Sequence, residues 1–259
     1  MIVSRRNFIK LGAAGALLAT ASPILSQEFR PKQSLYCPVL MYHYISDAPQ
    51  DAPATLVDLT VPPEKFASHL DILLENGFTT VTMADVNAAW QGFIELPEKP
   101  IVITFDDGYW DAYAHATPQL LQRGMRGTFF IITSFVDQPG YLTWGQAAEM
   151  RAAGMEIGNH SVSHPDMSRL SSDEQRYEVE ASTQAFAERL GFHPTTFCYP
   201  LGRQNRITRL LLLEYGYETG LTTRDGTMLY QSNPYRLGRV RVRNSTTPET
   251  LLWLVNRRV

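Results

Sequence analysis

Cysteine is nearly absent: Cys37 and Cys198 are the only two in 259 residues. That excludes a disulfide-dense scaffold and a cysteine-rich metal site, and two separate buried thiols are expected. Charge is modest, at 19% of residues with a formal net charge of -3, and no Lys/Arg stripe interleaves with aromatics. Nucleic acid is therefore not an expected partner. There is no internal repeat, no low-complexity tract and no first-turn glycine fingerprint of a dinucleotide fold. The apolar run Leu11 to Ala19 falls short of the roughly 20 residues that a membrane span needs, so no stable span is expected once the N-terminus is processed. What the chain does have is apolar residues, 44% of the total, enough to bury one sizeable core.

The N-terminus differs in kind from the rest. Ser4-Arg5-Arg6-Asn7-Phe8-Ile9-Lys10 precedes the apolar run, and small residues follow at Ala19, Ala21 and Ser26. This layout is that of a removable export signal, and the Arg5-Arg6 pair resembles the twin-arginine type. Residues 1–26 are read as the signal, 27–34 as a connector, and 35–259 as one domain of a periplasmic or secreted protein. Cys37 is not expected to carry lipid, because Leu35-Tyr36 lacks the small residue that such a site requires.

Within 35–259, strand and helix signals alternate. Val39 to Tyr42 reads as a first strand ending at His43, and Ile101 to Phe105 and Thr128 to Ile132 as buried strands. Pro62-Pro63-Glu64 opens a helix with Phe66, Leu70, Leu73 and Leu74 on one face, and Pro118 to Arg123 reads as another. Thr143 with Gln146 and Ser171 with Glu174 fit capping boxes, and the helices they open are followed by strands at Met155 to Gly158 and Thr195 to Tyr199. Alternation of this kind over some 220 residues predicts a single parallel α/β domain. The polar residues His43, Asp106, Asp107 and His160 all fall just past strand C-termini, which favours a barrel with its site at that face.

Two consecutive aspartates on a straight strand would face opposite ways. Asp106 and Asp107 serve one site only if the strand ends there, and Gly108 permits that turn. With His160 and His164 they supply two carboxylates and two imidazoles. One Asp and both His suit a catalytic divalent-metal site with an open position, leaving the other Asp as a base.

Thr104-Phe105-Asp106-Asp107-Gly108, His160-Ser161-Val162-Ser163-His164 and Phe197-Cys198-Tyr199-Pro200-Leu201-Gly202 resemble, in order, the motifs of the polysaccharide deacetylases of the NodB-homology type, carbohydrate esterase family 4. The resemblance runs from about Tyr36 to Arg243 and implies a distorted (β/α) barrel of about seven strands. It implies Asp107, His160 and His164 as metal ligands, Asp106 as general base, and the Leu201 backbone N–H as an oxyanion donor. It departs in two places. Cys198 stands where the third motif usually has an Arg that orients the catalytic Asp, and Arg239 or Arg241 is the candidate to supply that charge. No His follows His193, so the usual C-terminal general acid is missing. However, Pro38-Val39-Leu40-Met41-Tyr42-His43 resembles the N-terminal element of the deacetylases acting on poly-N-acetylglucosamine, which implies His43 as the acid.

The expected activity is metal-dependent hydrolysis of N-acetyl groups from an amino-sugar polysaccharide. Zinc suits the ligand set, and cobalt or nickel would bind it too. Tyr199, Leu201, Arg239 and Arg241 are expected at the oxyanion and substrate groove, and Trp110, Tyr109, Trp144 and Tyr199 are candidates for a sugar-stacking platform. His69 is expected on a partly exposed helix surface. The rival readings are a non-catalytic sugar-binding module of the same fold, and an enzyme acting on peptidoglycan, O-acetyl esters or a non-sugar amide. A glycoside hydrolase is disfavoured, because neighbouring carboxylates lie too close and two histidines go unexplained.

Overall fold

The computed structural model describes residues 34–259; the expected export signal and all but the last residue of the connector lie outside the described residues. The frame is a curled parallel sheet. Its strands are β2 (Val39–Tyr42), β4 (Pro100–Phe105), β5 (Thr128–Ile131), β6 (Glu156–Asn159), β7 (Thr196–Cys198), β8 (Thr219–Leu221) and β10 (Val240–Arg241), in the spatial order β10-β2-β4-β5-β6-β7-β8. A further strand, β3 (Thr79–Val81), joins β4. Val102 is paired with both Val39 and Val81, and Phe105 with both Tyr42 and Phe129, so β3 and β5 share one edge of β4 and β2 takes the other. At the strands' N-terminal end, β1 (Ser34–Tyr36) pairs antiparallel with β9 (Met228–Tyr230).

The two ends of the sheet meet through one segment. Leu237 bridges to Leu221 of β8, and three residues further on Val240 pairs with Leu40 of β2. Residues 237–241 therefore close the curl, with Arg239 at the seam.

Helices α1 (Ala54–Leu59), α2 (Pro63–Glu75), α3 (Met83–Trp90), α4 (Thr117–Gln122), α5 (Trp144–Ala152), α6 (Ser172–Leu190), α7 (Arg206–Glu214) and α8 (Pro248–Asn256) connect and cover the strands. Five of them are introduced by a side-chain cap that leaves little doubt where they begin: Thr82, Thr143, Ser171, Asn205 and Thr247 each accept a hydrogen bond from the third helical residue. The expected helix from Pro118 is longer than its pattern, since a π-helical turn, Ala112–Ala116, runs directly into α4. All six residues of β4 are buried, as a strand covered on both faces requires.

His69 does not lie on the surface. It is fully buried beneath β2, accepting at Nδ1 from the Tyr42 hydroxyl (3.1 Å) and donating from Nε2 to the Thr246 carbonyl (3.0 Å). Its neighbours in sequence read as a mixed face because the two partners that satisfy the ring come from far along the chain. Burial lowers its pKa from 6.5 to about 4, and protonation therefore favours the unfolded chain. The stability His69 lends is complete above about pH 6.5 and is lost as pH falls toward 4, at about 1.4 kcal/mol per unit and roughly 3 kcal/mol in all. Urea unfolding of wild type and His69→Gln at pH 7 and pH 4.5 should show the wild type losing more on acidification; equal losses would contradict this.

Candidate active site

At the C-terminal ends of β2, β4, β6 and β7 the chain turns sharply, and those turns carry the site. Asp107 has φ 75° and Gly108 φ 77°, so two successive left-handed residues fold the end of β4 back on itself. A side chain at Gly108 would press within 3.1 Å of Ile131, which makes glycine the residue that fits. The turn brings both aspartates to one centre. Five non-glycine residues have positive φ among the described residues, and four of them, Asp107, Ser161, His164 and Leu201, belong to the site's turns. Such conformations are costly and persist where surrounding contacts impose them.

Asp107 Oδ1 lies 3.3 Å from His160 Nε2 and 3.4 Å from His164 Nε2. Donor atoms held at tetrahedral zinc distances would stand about 3.3 Å apart, so the three residues fit a divalent cation. Asp107 Oδ1 is buried and has no hydrogen-bond partner among the described residues, an orphaned anion that such a cation would satisfy. His160 Nδ1 donates to the Cys198 carbonyl at 2.7 Å, which fixes the tautomer and turns the Nε2 lone pair toward Asp107. Burial opposes ionisation of Asp107, but the adjacent His160 imidazole outweighs it and brings its pKa below the usual value.

Asp106 has the opposite environment. Arg239, 1% exposed, grips both its oxygens at 2.7 Å. The guanidinium also donates to the Thr222 carbonyl (2.9 Å), Thr104 Oγ1 (3.1 Å) and Cys198 Sγ (3.2 Å). Burial alone would raise the Asp106 pKa, and Arg239 instead holds it well below the carboxylate range. The group Asp106, His160 and Cys198 is also compact, but its Asp is taken by Arg239 and its thiol is kept neutral by burial, so it is a poor cation site. Where the resemblance expects an arginine on β7, the side chain is Cys198, and the arginine arrives from the seam. Arg241 instead pairs with Asp58 at 3.5 Å, away from Asp106.

His43 follows β2 and places Nε2 3.9 Å from Asp106 Oδ2. Burial, the largest influence, lowers its pKa against the opposing pull of Asp106 and Asp107. The turn Pro200–Gly202 closes with hydrogen bonds from Gly202 and Arg203 N–H to Tyr199 and Pro200 carbonyls, neither of which uses the Leu201 N–H. A Cβ at Gly202 would lie 2.2 Å from Thr223 Oγ1 and 2.5 Å from its backbone N, so this turn packs closely against the segment that follows β8.

Tyr199 does not face a groove. It is 1% exposed, and its hydroxyl donates to the Tyr235 carbonyl. Trp144 packs edge-on against Phe186 in the core. The half-buried aromatic ribbon is instead Tyr44, Tyr109, Tyr141 and Phe135, with successive ring centroids 3.7, 5.2 and 5.0 Å apart. Tyr44 directly follows His43 and Tyr109 directly follows the Asp106–Gly108 turn, which places the ribbon beside the site. Tyr44 and Tyr141 had no motif to reveal them. Nor did Glu178 of α6, which accepts from the N–H groups of Val162 (2.9 Å) and Ser163 (3.0 Å) and from Ser163 Oγ (2.6 Å), and so holds the loop between the two histidines.

With this geometry in view, relatives among known proteins become informative. A family model described as polysaccharide deacetylase matches residues 94–220. YxkH of Bacillus subtilis, assigned to the polysaccharide deacetylases, is 34% identical over 205 residues, covering 79% of this chain and 71% of that protein. The chain belongs to the polysaccharide deacetylase family. Membership places it among hydrolases of N-acetyl amide bonds. The poly-β-1,6-N-acetyl-D-glucosamine N-deacetylase of Escherichia coli is 26% identical over 230 residues, 72% of this chain, although the chain spans only 34% of that relative's length. A deacetylase of Streptococcus pyogenes solved with acetate superposes with a TM-score of 0.80 at 29% identity, covering 86% of this chain and 99% of that one.

Three substitutions test the geometry. Arg239→Met strands the Asp106 charge in the interior and should cost about 3–5 kcal/mol, whereas adding Asp106→Leu should recover most of that loss; urea denaturation reads both, and equal losses would contradict the argument. Glu178→Ala frees the histidine loop and should weaken any divalent-cation binding at Asp107, His160 and His164 about 10–100-fold. Competition against a chelator measures it, and unchanged affinity would show that the loop needs no such support.

Proposed function

We propose that this protein is an exported, metal-dependent N-deacetylase of an N-acetylglucosamine polysaccharide. Asp107, His160 and His164 would hold the cation, with zinc the natural occupant of two imidazoles and a carboxylate. The observation that carries the reading is the buried, orphaned Asp107 Oδ1 facing both Nε2 atoms next to an Asp106 whose oxygens are reserved by Arg239. Residues 35–259 form the catalytic domain, preceded by the export signal at 1–26 and the connector. Among the described residues no helix is long and apolar enough to cross a membrane.

A divalent cation held by Asp107, His160 and His164 would supply Lewis-acid chemistry, making water acidic and the acetyl carbonyl electrophilic. The chain's own groups do the rest. Asp106, ionised throughout the working pH range, takes the water proton as the new C–O bond forms. The Leu201 N–H donates to the carbonyl oxygen as it gains negative charge. His43 gives a proton to the sugar nitrogen as the C–N bond breaks, because an amide nitrogen leaves poorly as an anion. The ribbon from Tyr44 to Phe135 offers ring faces for the apolar C–H surfaces of pyranoses, and the likeness to the Escherichia coli enzyme favours a β-1,6-linked polymer.

Acetate release from β-1,6- and β-1,4-linked N-acetylglucosamine oligomers, measured before chelation, after it and after zinc is restored, tests the proposal. Release should vanish on chelation, return with zinc and be faster on the β-1,6 series. A zinc-loaded protein silent on both would point to another acyl substrate, and sugar binding that survives chelation without any release would point to a binding module. His43→Ala should lower kcat by about 10²–10⁴-fold with zinc content unchanged.

A further inference from the structure

Asp106 and His160 are held by hydrogen bonds, from Arg239 and to the Cys198 carbonyl respectively, whereas the ring of His43, like that of His164, has no such bond among the described residues. The Nδ1 of His43 is buried without a partner among the described residues, and its Nε2 stands 3.9 Å from Asp106. The position of the His43 imidazole is therefore set by its backbone. On the N-terminal side that backbone is fixed by the sheet, where Tyr42 accepts from the Asp106 N–H. On the C-terminal side Tyr44 exchanges backbone hydrogen bonds with Leu59 and Val61, and Ile45 donates its N–H to Asp111 Oδ2 at 3.1 Å.

Asp111 is an unusual residue to find there. It is 8% exposed, and among the described residues it has no cation within salt-bridge reach and its buried Oδ1 has no partner. Burial pushes its pKa up to about 6 despite the Ile45 N–H, the Ser46 side chain and nearby His115. A carboxyl kept in such a place costs stability, so its retention calls for a reason beyond folding. Its place in the chain suggests one. Asp111 follows the Asp106–Gly108 turn by three residues, at the start of the π-helical turn, so it ties the loop after β2 to the element that carries the base and a metal ligand.

We propose that Asp111 is a positioning residue for the general acid, acting on His43 through the Ile45 N–H so that the imidazole reaches the departing nitrogen. The inference rests on the acid role given to His43 above. A displacement of about 1 Å in a reacting group is enough to cost of the order of 10²-fold in rate, and losing the acceptor for the Ile45 N–H gives the residues next to His43 that freedom.

The test is a double-mutant cycle on the zinc-loaded protein, with β-1,6-linked N-acetylglucosamine oligomers as substrate. Asp111→Ala should lower kcat about 10–100-fold while KM stays within about twofold and zinc content matches wild type. Asp111→Asn, which keeps an acceptor oxygen for Ile45, should recover most of the loss. His43→Ala/Asp111→Ala should be no slower than His43→Ala. The inference is overturned by wild-type kcat in Asp111→Ala, by losses that multiply in the double variant, by an Asp111→Asn as slow as the alanine variant, or by zinc loss in either. A His43→Ala protein with full turnover would instead remove the acid assignment, and the Asp111 inference with it.

Discussion

The bidentate contact between Arg239 and Asp106 is the interaction on which the remainder of the site depends. Removing two charges from water is expensive, and a buried pair is stable only where geometry is good and the remaining donors are satisfied. Here the arginine's other donors reach the Thr222 carbonyl, Thr104 and Cys198, so little of its hydrogen-bonding capacity is left without a partner. Those contacts join β4, β7 and the residue after β8 to the seam that closes the sheet. An apolar pair would serve stability as well. What it would not do is keep a carboxylate ionised, dry and fixed in direction at the end of β4.

That constraint also explains how two adjacent aspartates acquire different work. Both are buried, and both would be neutralised or paired in an ordinary interior. Arg239 occupies both oxygens of Asp106 and withholds it from a cation, whereas Asp107, swung round by its left-handed backbone, keeps Oδ1 free toward His160 and His164. Charge separation over one peptide bond is thus achieved by topology: one carboxylate faces the seam, the other faces the loop after β6.

Much of this was legible in the sequence because it is local. The strand ends, the glycine turn after Asp107, the capping boxes of α5 and α6 and the spacing of the two histidines are all written within a few residues of where they act. The arginine was legible only as a choice between Arg239 and Arg241, since alternation along a strand gives a face but not the partner across the curl. Tyr44, Tyr141, Glu178 and Asp111 carry no local signal: their contacts span from 15 to 66 residues of sequence, and nothing in a tetrapeptide says that a helix three turns away caps a loop. Tyr199 and His69 misled for the same reason, since a polar atom on an otherwise apolar side chain looks exposed until the distant carbonyl that satisfies it is known.

The supports around the centre divide according to what they hold. His160 is oriented directly, by a hydrogen bond from its own ring to the Cys198 carbonyl, so its direction survives small shifts of the backbone. His164 and His43 have no comparable bond from the ring and inherit their positions from the main chain, the first through Ser161 and Glu178 and the second through Ile45. A cation would restrain His164 once bound, as ligation substitutes for a missing hydrogen bond. His43 gains no such restraint, and it must in any case remain free of strong partners if it is to give up a proton. On the proposed acid role, His43 is therefore the member of the site whose geometry rests most fully on the loop that carries it, and side chains that hold that loop would contribute to turnover without touching the substrate.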